Sequence, residues 1–217
     1  MLKIAFDNIY MHKLKENHRF PMIKYELIPE QLVMENTCNE ENFFVPKSVT
    51  DKNVLLTHDK IYYDKLVNLN LSKKEARAIG FPLSQELIAR EKKIVQGTIE
   101  CTNYSLEYGI SMNIAGGTHH AFTDRAEAFC MLNDQAIAAN YLLNNKLSKK
   151  IMIIDLDVHQ GNGTAEIFQG NKDVFTVSFH GEKNYPFRKE KSDYDYAFKD
   201  HTTDKEYLNI VKYEVKR

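Results

Sequence analysis

The stretch that decides the fold is IMIIDLDVHQGNG, residues 151–163. Four apolar residues lead directly into Asp155, and Asp157 and His159 follow at alternate positions before a loop that contains two glycines. A short apolar run that stops at turn residues is typical of a strand buried on both faces of a parallel sheet. Alternate residues of an extended backbone point to the same side, and parallel sheets bind ligands at the carboxyl ends of their strands. The pattern therefore predicts that Asp157 and His159 converge as two ligands for a metal ion.

A tandem histidine follows a second predicted strand. The strand covers residues 112–115, and the sequence after it reads Gly-Gly-Thr before His119 and His120. Paired glycines let the backbone turn tightly, which would bring both imidazoles to the same edge of the sheet as Asp157 and His159. Adjacent histidines are more often ordinary surface or core residues, so this interpretation depends on their context.

Asp155 is expected to be largely buried because it directly follows the apolar run. A buried carboxylate needs a hydrogen-bond partner. An imidazole N–H is a good one, since the carboxylate fixes the tautomer of the ring and raises its basicity. The alternative is a strand end capped by solvated acids. Three polar residues at every second position, Asp155, Asp157 and His159, favour a functional site over that alternative.

The order of the predicted elements indicates an α/β fold in which a parallel sheet is covered by helices on both faces. The predicted strands are residues 3–6, 54–57, 112–115, 151–155 and 174–179. The predicted helices are residues 22–34 in two pieces broken at Pro29, then 58–68, 72–80, 84–109, 133–145, 163–169 and 207–215. The segments expected to be irregular are residues 8–20, 36–47 and 183–205.

Composition excludes several classes of protein. The chain has 217 residues, of which 43% are hydrophobic, which suits one globular domain. Lys and Arg total 29 against 30 Asp and Glu, so there is no basic excess of the kind that direct nucleic-acid binding needs. The three cysteines are scattered and odd in number, which favours a reducing compartment over a disulfide framework. Without a signal-peptide or membrane-spanning pattern, we expect a cytoplasmic protein.

Two motifs taken together resemble those of a known family. GGTHHAF (residues 116–122) and DLDVHQGNG (residues 155–163) are similar to motifs of the histone deacetylase family, within the wider arginase–deacetylase fold. HRFPMIKY (residues 18–25) and EARAIGFP (residues 75–82) resemble its class IV and bacterial branch. The likeness runs from near residue 10 to about residue 195. It implies a zinc-dependent amidohydrolase that removes acetyl groups from lysine side chains or related acetylated amines.

The resemblance also implies roles for the residues already singled out. Asp157 and His159 match the ligands of a catalytic Zn²⁺. His120 matches the general base and acid, and His119 is its neighbour, oriented by Asp155. A zinc ion with an open position polarises an amide carbonyl and acidifies bound water, and a nearby imidazole can move the proton.

Further positions are assigned by the resemblance alone. Asn162 stands where other members have an aspartate or an asparagine paired with the second histidine. Phe129 and Tyr185 match aromatic residues that line a narrow tunnel for the acyl-lysine stem, although core packing is an equal alternative for both. Arg19 matches a position near an exit channel for acetate. A structural monovalent-cation site for K⁺ is matched by Ser178 and by the backbone around Asp155, Asp157, His159 and Phe179.

The sequence departs from the family pattern within residues 124–130. These read DRAEAFC where the related motif usually reads DRGEGFC, so that Ala126 and Ala128 replace glycines. If either glycine adopts a positive φ, a methyl group there costs stability. If either glycine lets the substrate approach the backbone, a methyl group there blocks binding.

The second departure concerns the end of the chain. The family's third zinc ligand and its transition-state tyrosine lie downstream of Arg217, and the aspartates at 193, 195, 200 and 204 follow no buried strand that would make them substitutes. We therefore expect residues 1–217 to be the N-terminal portion of a single deacetylase-like domain, truncated, with an incomplete sheet and a charged tail over about residues 182–217. An oligomer or a complementing chain is an expected partner, because an open sheet edge invites pairing.

Three functional hypotheses follow from this pattern. The first is the deacetylase itself, acting on acetyl-lysine. The second is a catalytically inactive remnant that binds a metal or a partner. The third is a relative that acts on acetylpolyamines or another small acetylated amine.

Overall fold

The structure is a computed structural model that describes residues 1–216. The chain divides into two compact units, Met1–Ser148 and Lys149–Arg217, and each contains a wholly parallel three-stranded sheet. The expectation of one domain over residues 1–217 stays a prediction. Among the described residues, every helix is too short or too polar to cross a membrane.

The sheet of the first unit has the strand order β2–β1–β3. Its strands are β1 (Lys3–Ala5), β2 (Phe43–Phe44) and β3 (Ser111–Asn113). Its helices are α1 (Lys24–Met34), α2 (Asp51–Val54), α3 (Lys60–Val67), α4 (Lys73–Ile79), α5 (Gln85–Tyr108) and α6 (Asp134–Asn144). The largest fully buried core residues of this unit include Tyr10, Tyr63, Leu66, Leu87, Ile94, Ile99 and Met131.

The ends of the helices in this unit follow the capping residues in the sequence. Ser72 and Glu75 form a reciprocal capping box at the start of α4, which ends at Gly80 in the left-handed conformation. The hydroxyl of Ser84 accepts the N–H of Leu87 and starts α5. These boundaries confirm the predicted helices.

Two predictions for this unit are wrong. Residues 54–57 form no strand, because the Thr50 hydroxyl accepts the N–H of Asn53 and nucleates α2, which ends at the buried Val54. Residues 22–34 are not broken into two helices at Pro29. The proline removes one backbone donor, but Pro29 and Tyr25 are the two buried residues of α1, so their burial favours a continuous helix.

The irregular segment predicted at residues 36–47 is also partly ordered. A 3₁₀ turn covers Glu40–Asn42, and β2 follows directly. The buried amide of Asn42 donates to the carbonyl of Leu2 beside β1. This bond helps to place β2 against β1, whose Ile4 is paired with Phe43.

The second unit has the strand order β4–β5–β6. Its strands are β4 (Ile151–Asp155), β5 (Val174–Gly181) and β6 (Tyr194–Phe198), and its helices are α7 (Asn162–Ile167) and α8 (Asp204–Glu214). The buried residues Val177, Phe179 and Phe198 form its core, with Tyr194, Tyr196, Tyr207, Ile210 and Val211 packed around them.

Two predictions for the second unit need correction. β4 is not buried on both faces, since Ile153 is buried while Met152 and Ile154 are 57% and 37% exposed. Residues 183–205 are not one long loop, because they contain β6. Tyr194, Tyr196 and Phe198 alternate with exposed residues along that strand and contact Phe179.

A tight turn at residues 127–130 shows why glycine is the usual residue at the position that Ala128 occupies in DRAEAFC. Glu127 and Cys130 exchange two backbone hydrogen bonds, and the central residues Ala128 and Phe129 have φ of 45° and 69°. Two positive φ values are the signature of a type I′ turn, which favours glycine. The turn also donates to the end of α4, because the N–H groups of Ala128 and Phe129 bond the carbonyls of Ala78 and Ile79.

We expect Ala128→Gly to stabilise the protein. An alanine in the left-handed region costs about 1 kcal/mol relative to a relaxed backbone, and glycine removes that cost. The midpoint of thermal unfolding should rise by about 2–4 °C for a chain of this size. Ala126→Gly is the matched control. Ala126 is buried and has no positive φ, so this variant should lower the midpoint. A lower midpoint for Ala128→Gly would contradict the strain argument.

Candidate active site

The tandem histidine lies in a loop that directly follows β3. The rings of His119 and His120 are both buried, with their centroids 4.0 Å apart and their planes inclined at 45°. Gly117 has φ of 75°, as the predicted tight turn requires. The loop of residues 116–122, called here the histidine loop, therefore presents two imidazoles in contact from a well-defined backbone.

Asp134 holds the start of the histidine loop. Its carboxylate is buried and accepts four hydrogen bonds, from the N–H and hydroxyl of Thr118 at 2.8 and 2.6 Å, from the hydroxyl of Thr98 at 2.6 Å and from the N–H of Gly117 at 3.3 Å. A Cβ on Gly116 would lie 2.7 Å from a carboxylate oxygen of Asp134. Gly116 is thus needed because the carboxylate approaches the backbone closely.

Asn133 and His58 hold the other end of the histidine loop. The amide of Asn133 donates to the carbonyl of Ala121 at 3.1 Å. Nδ1 of His58 lies 2.9 Å from the carbonyl of Phe122, and Nε2 lies 2.9 Å from the N–H of Asn133. Sequence reasoning predicted the helix that begins here but missed all of these anchoring contacts. The polar pair Asn133 and Asp134 at the start of an Ala-rich helix was the available signal.

The acid–imidazole stretch of the second unit is built from turns, not from a continued strand. β4 ends at Asp155, whose Oδ1 accepts the N–H of Asp157 at 2.9 Å. Oδ1 of Asp157 accepts the N–H of His159 at 2.7 Å, and Nδ1 of His159 lies 2.9 Å from the same oxygen. Asp157 and His159 therefore do come together, through two successive side-chain-to-backbone turns. Asp155 is half-buried and not largely buried as expected.

The donor atoms of Asp157 and His159 are of the types that zinc accepts, a carboxylate oxygen and an imidazole nitrogen. Their separation of 2.9 Å is that of a hydrogen bond and is shorter than the distance of about 3.3 Å between two ligands of a tetrahedral zinc. The two side chains are 51% and 41% exposed, so further ligands can reach them. Within residues 1–216, no group of three or more His, Cys, Asp or Glu side chains is arranged to hold a metal. Catalytic zinc usually takes three protein ligands and a water, so the pair is a partial site.

The residues matched to a monovalent-cation site meet in part at the end of β4, beside the middle of β5. Asp155 and Ser178 are paired in register across the two strands. The hydroxyl of Ser178 is buried and bonds Nδ1 of His180 at 3.0 Å, while Phe179 belongs to the aromatic core. Burial lowers the pKa of His180, which sequence reasoning missed as a member of this cluster.

The other assigned residues lie in different parts of the two units. In the first unit, the ring of Phe129 packs on Phe81 at 4.9 Å, and the exposed guanidinium of Arg19 lies 4.8 Å over it. In the second unit, the ring of Tyr185 meets the ring of His159 edge to face at 6.0 Å. Asn162 is buried as the first residue of α7.

The parallel sheets are flanked by helices and carry polar side chains where strands end. Solved structures that superpose on the chain show that this is the arginase–deacetylase class of folds. An HDAC homolog complexed with SAHA superposes with a TM-score of 0.84 at 25% identity, covering 99% of this chain and 64% of that one. An HDAC homolog from Aquifex aeolicus gives a TM-score of 0.83 at 24% identity, over 99% of this chain and 64% of that one. Residues 18–217 match the model of the histone deacetylase domain, and the chain belongs to the histone deacetylase family.

The chain is also similar in sequence to curated proteins over most of its length. An uncharacterized protein from Picosynechococcus is 38% identical over 212 residues, which is 98% of this chain and 71% of the relative. The acetoin utilization protein AcuC from Staphylococcus aureus is 27% identical over 191 residues, which is 83% of this chain and 49% of that protein. The chain thus spans about half the length of the AcuC relatives.

Proposed function

We propose that the chain is a zinc-dependent deacetylase that removes acetyl groups from lysine side chains or from related acetylated amines. The observation that carries the proposal is the donor pair of Asp157 and His159, with 2.9 Å between Oδ1 and Nδ1, in a member of the deacetylase family that also buries a tandem histidine. The structural similarity to an HDAC homolog that was solved with SAHA supports the same reaction class.

The proposal gives each residue of the two histidine-bearing stretches a chemical task. Asp157 and His159 would hold the zinc ion, which when bound polarises the amide carbonyl and acidifies water. His120 takes the proton of the attacking water and returns it to the leaving amine. His119 packs against His120. The task that the resemblance implies for Asp155 is to orient an imidazole, because a carboxylate favours the tautomer whose N–H donates to it.

The remaining assignments concern substrate and support. Phe129 and Tyr185 would line the tunnel for the aliphatic stem of the acylated amine, and Arg19 would lie near the exit channel for acetate. Asn162 serves as the partner of His120. A K⁺ ion would stabilise the loop that carries the proposed zinc ligands, held by Ser178 and by the backbone around Asp155, Asp157, His159 and Phe179.

The test is the release of acetate by the purified chain loaded with zinc. The substrates are an acetyl-lysine peptide and an N-acetylated polyamine, each assayed with zinc, with a chelator, and after zinc is restored. We expect acetate release that stops with the chelator and returns with zinc. The ratio of kcat/KM for the two substrates then assigns the substrate class. No acetate from either substrate in the presence of zinc would reject the proposal for this chain.

A second candidate is a member of the family that binds a metal or a partner without turnover. It is favoured by one observation, that the described residues offer two donors where catalytic zinc normally takes three. Zinc titration and light scattering separate the two candidates. Zinc binding or self-association without acetate release would support this second function, whereas zinc-dependent release of acetate would exclude it. The proposed cellular setting for either function is the cytoplasm, without direct binding to nucleic acid.

A further inference from the structure

We propose that His58 is a positioning residue for the tandem histidine, which it holds in place through one donated and one accepted hydrogen bond to the main chain around the histidine loop. The proposal rests on the proposed function in its claim about turnover, and on geometry alone in its claim about the loop. His58 lies outside both motifs by which the family is recognised, in the segment that joins α2 to α3.

The hydrogen bonds of His58 determine which of its nitrogens carries the proton. The carbonyl of Phe122 can only accept, so Nδ1, at 2.9 Å from it, is the protonated nitrogen. The backbone N–H of Asn133 can only donate, so Nε2, at 2.9 Å, is the bare one. The ring is therefore a neutral bridge, with both nitrogens satisfied while only 3% of the residue is exposed. Burial lowers the pKa of His58 to about 4, which keeps the bridge in this form at neutral pH.

The two partners of His58 connect directly to the tandem histidine. Phe122 is the second residue after His120, and the side-chain amide of Asn133 donates to Ala121, the first residue after it. The backbone beside the bridge is also tied, since the N–H of Asp59 donates to Thr123 at 2.8 Å. The end of the histidine loop is thus bonded directly to His58. It is also bonded to Asn133, which is the other hydrogen-bond partner of His58.

The entry of the same loop is held by the neighbouring residue of α6. Asp134 accepts the N–H groups of Gly117 and Thr118, and its own N–H donates to the hydroxyl of Thr118 at 3.0 Å. One helix start therefore holds both ends of the histidine loop, and His58 bonds that helix start and the loop exit at once. A displacement of about 1 Å of a catalytic group can lower a rate by about 100-fold, so this clamp matters for His119 and His120.

Three substitutions separate the two bonds of the bridge. His58→Phe keeps an aromatic ring of similar size and loses both bonds. His58→Asn keeps a donor near the position of Nδ1, for the carbonyl of Phe122. His58→Gln keeps an acceptor near the position of Nε2, for the N–H of Asn133. His12→Phe is the matched control, because it replaces another histidine of the same unit with the same residue. The charged side chains that act on the pKa of His12 are those of Arg90 and Glu86, and neither belongs to the histidine loop.

The first measurement is by nuclear magnetic resonance on the folded, metal-free chain. Amide signals of Phe122 and Asn133 will shift in any His58 variant, so the decisive signals are those of the His119 and His120 rings. We expect these ring signals to move or broaden in His58→Phe, to move less in His58→Asn and His58→Gln, and to stay unchanged in His12→Phe. Unchanged ring signals in the folded Phe variant would overturn the proposal. If His58→Phe does not fold, unchanged ring signals of His119 and His120 in both His58→Asn and His58→Gln would overturn the proposal.

The second measurement is steady-state deacetylation by the zinc-loaded chain. We expect kcat of His58→Phe to fall by about 10–100-fold with KM within about twofold, and the two amide variants to restore part of it. If His58 affected only the stability of the fold, the active fraction would fall and the two amide variants would not restore kcat in part. That result would also overturn the proposal. If the unaltered chain releases no acetate, the proposed function fails, and the ring signals still decide whether His58 positions the loop.

Discussion

Replacing His120 with glutamine should lower kcat for deacetylation by about 100- to 10,000-fold, the range that a general acid–base residue contributes. Glutamine has a similar volume and can still form hydrogen bonds in the buried position of His120. It cannot accept and release a proton near neutral pH, so the attacking water and the leaving amine both lose their proton partner. The measurement is kcat from acetate release, together with zinc affinity by isothermal titration calorimetry.

The matched control is the same substitution at His119, whose ring lies 4.0 Å from that of His120. We expect His119→Gln to lower kcat less than His120→Gln, and both variants to keep the zinc affinity within about twofold, since neither ring is assigned as a ligand. Equal losses in the two variants would mean that the pair acts as a unit. An unaltered kcat in His120→Gln would remove this residue from the mechanism.

The sequence predicted those parts of the fold that depend on hydrogen bonds between near neighbours. The capping box of Ser72 with Glu75 and the cap at Ser84 each span three residues, so they can be read directly from the chain. Residues 54–57 were misassigned because a short apolar run is compatible with a strand or with a buried helix end. The hydroxyl of Thr50 decides between them, four residues before the run.

The strand β6 shows how composition can hide a pattern. It lies within residues 183–205, a segment rich in charged residues, and that composition predicts a loop. The alternation of Tyr194, Tyr196 and Phe198 is nevertheless the period of two that a half-buried strand requires, and these rings contact Phe179. Periodicity was therefore the better guide here, and hydrophilic composition the weaker one.

The candidate site was predictable to the extent that its residues are close together in the chain. Asp157 and His159 were found from their spacing, although turns, not an extended strand, bring them together. His58 was missed because its two partners are 64 and 75 residues away in sequence, where no spacing rule applies. That both histidine-bearing stretches serve one reaction stays a prediction, and the effects of single substitutions on metal affinity and turnover test it.

Replacing His159 with alanine should remove zinc binding and turnover together. Loss of one of two protein donors leaves a single carboxylate, which is a poor site for zinc. We expect the zinc affinity to fall by at least about 100-fold, and acetate release to fall to background. The measurements are calorimetric titration with zinc and acetate release at saturating zinc. The stability of the chain offers a third readout, because a ligand at 100 times its Kd stabilises the folded state by about 2.7 kcal/mol, and the variant should lose this increment.

The matched control is His201→Asn, an exposed histidine of the same unit. Asparagine tolerates the positive φ of 66° at this position, so the control removes an imidazole without straining the backbone. It should bind zinc and release acetate like the original chain. If His159→Ala kept its zinc affinity while His201→Asn lost it, the metal would belong to another part of the second unit. If both variants kept it, Asp157 and His159 would be a hydrogen-bonded pair and not a metal site. Only the selective loss in His159→Ala connects the 2.9 Å approach of Nδ1 to Oδ1 with zinc chemistry.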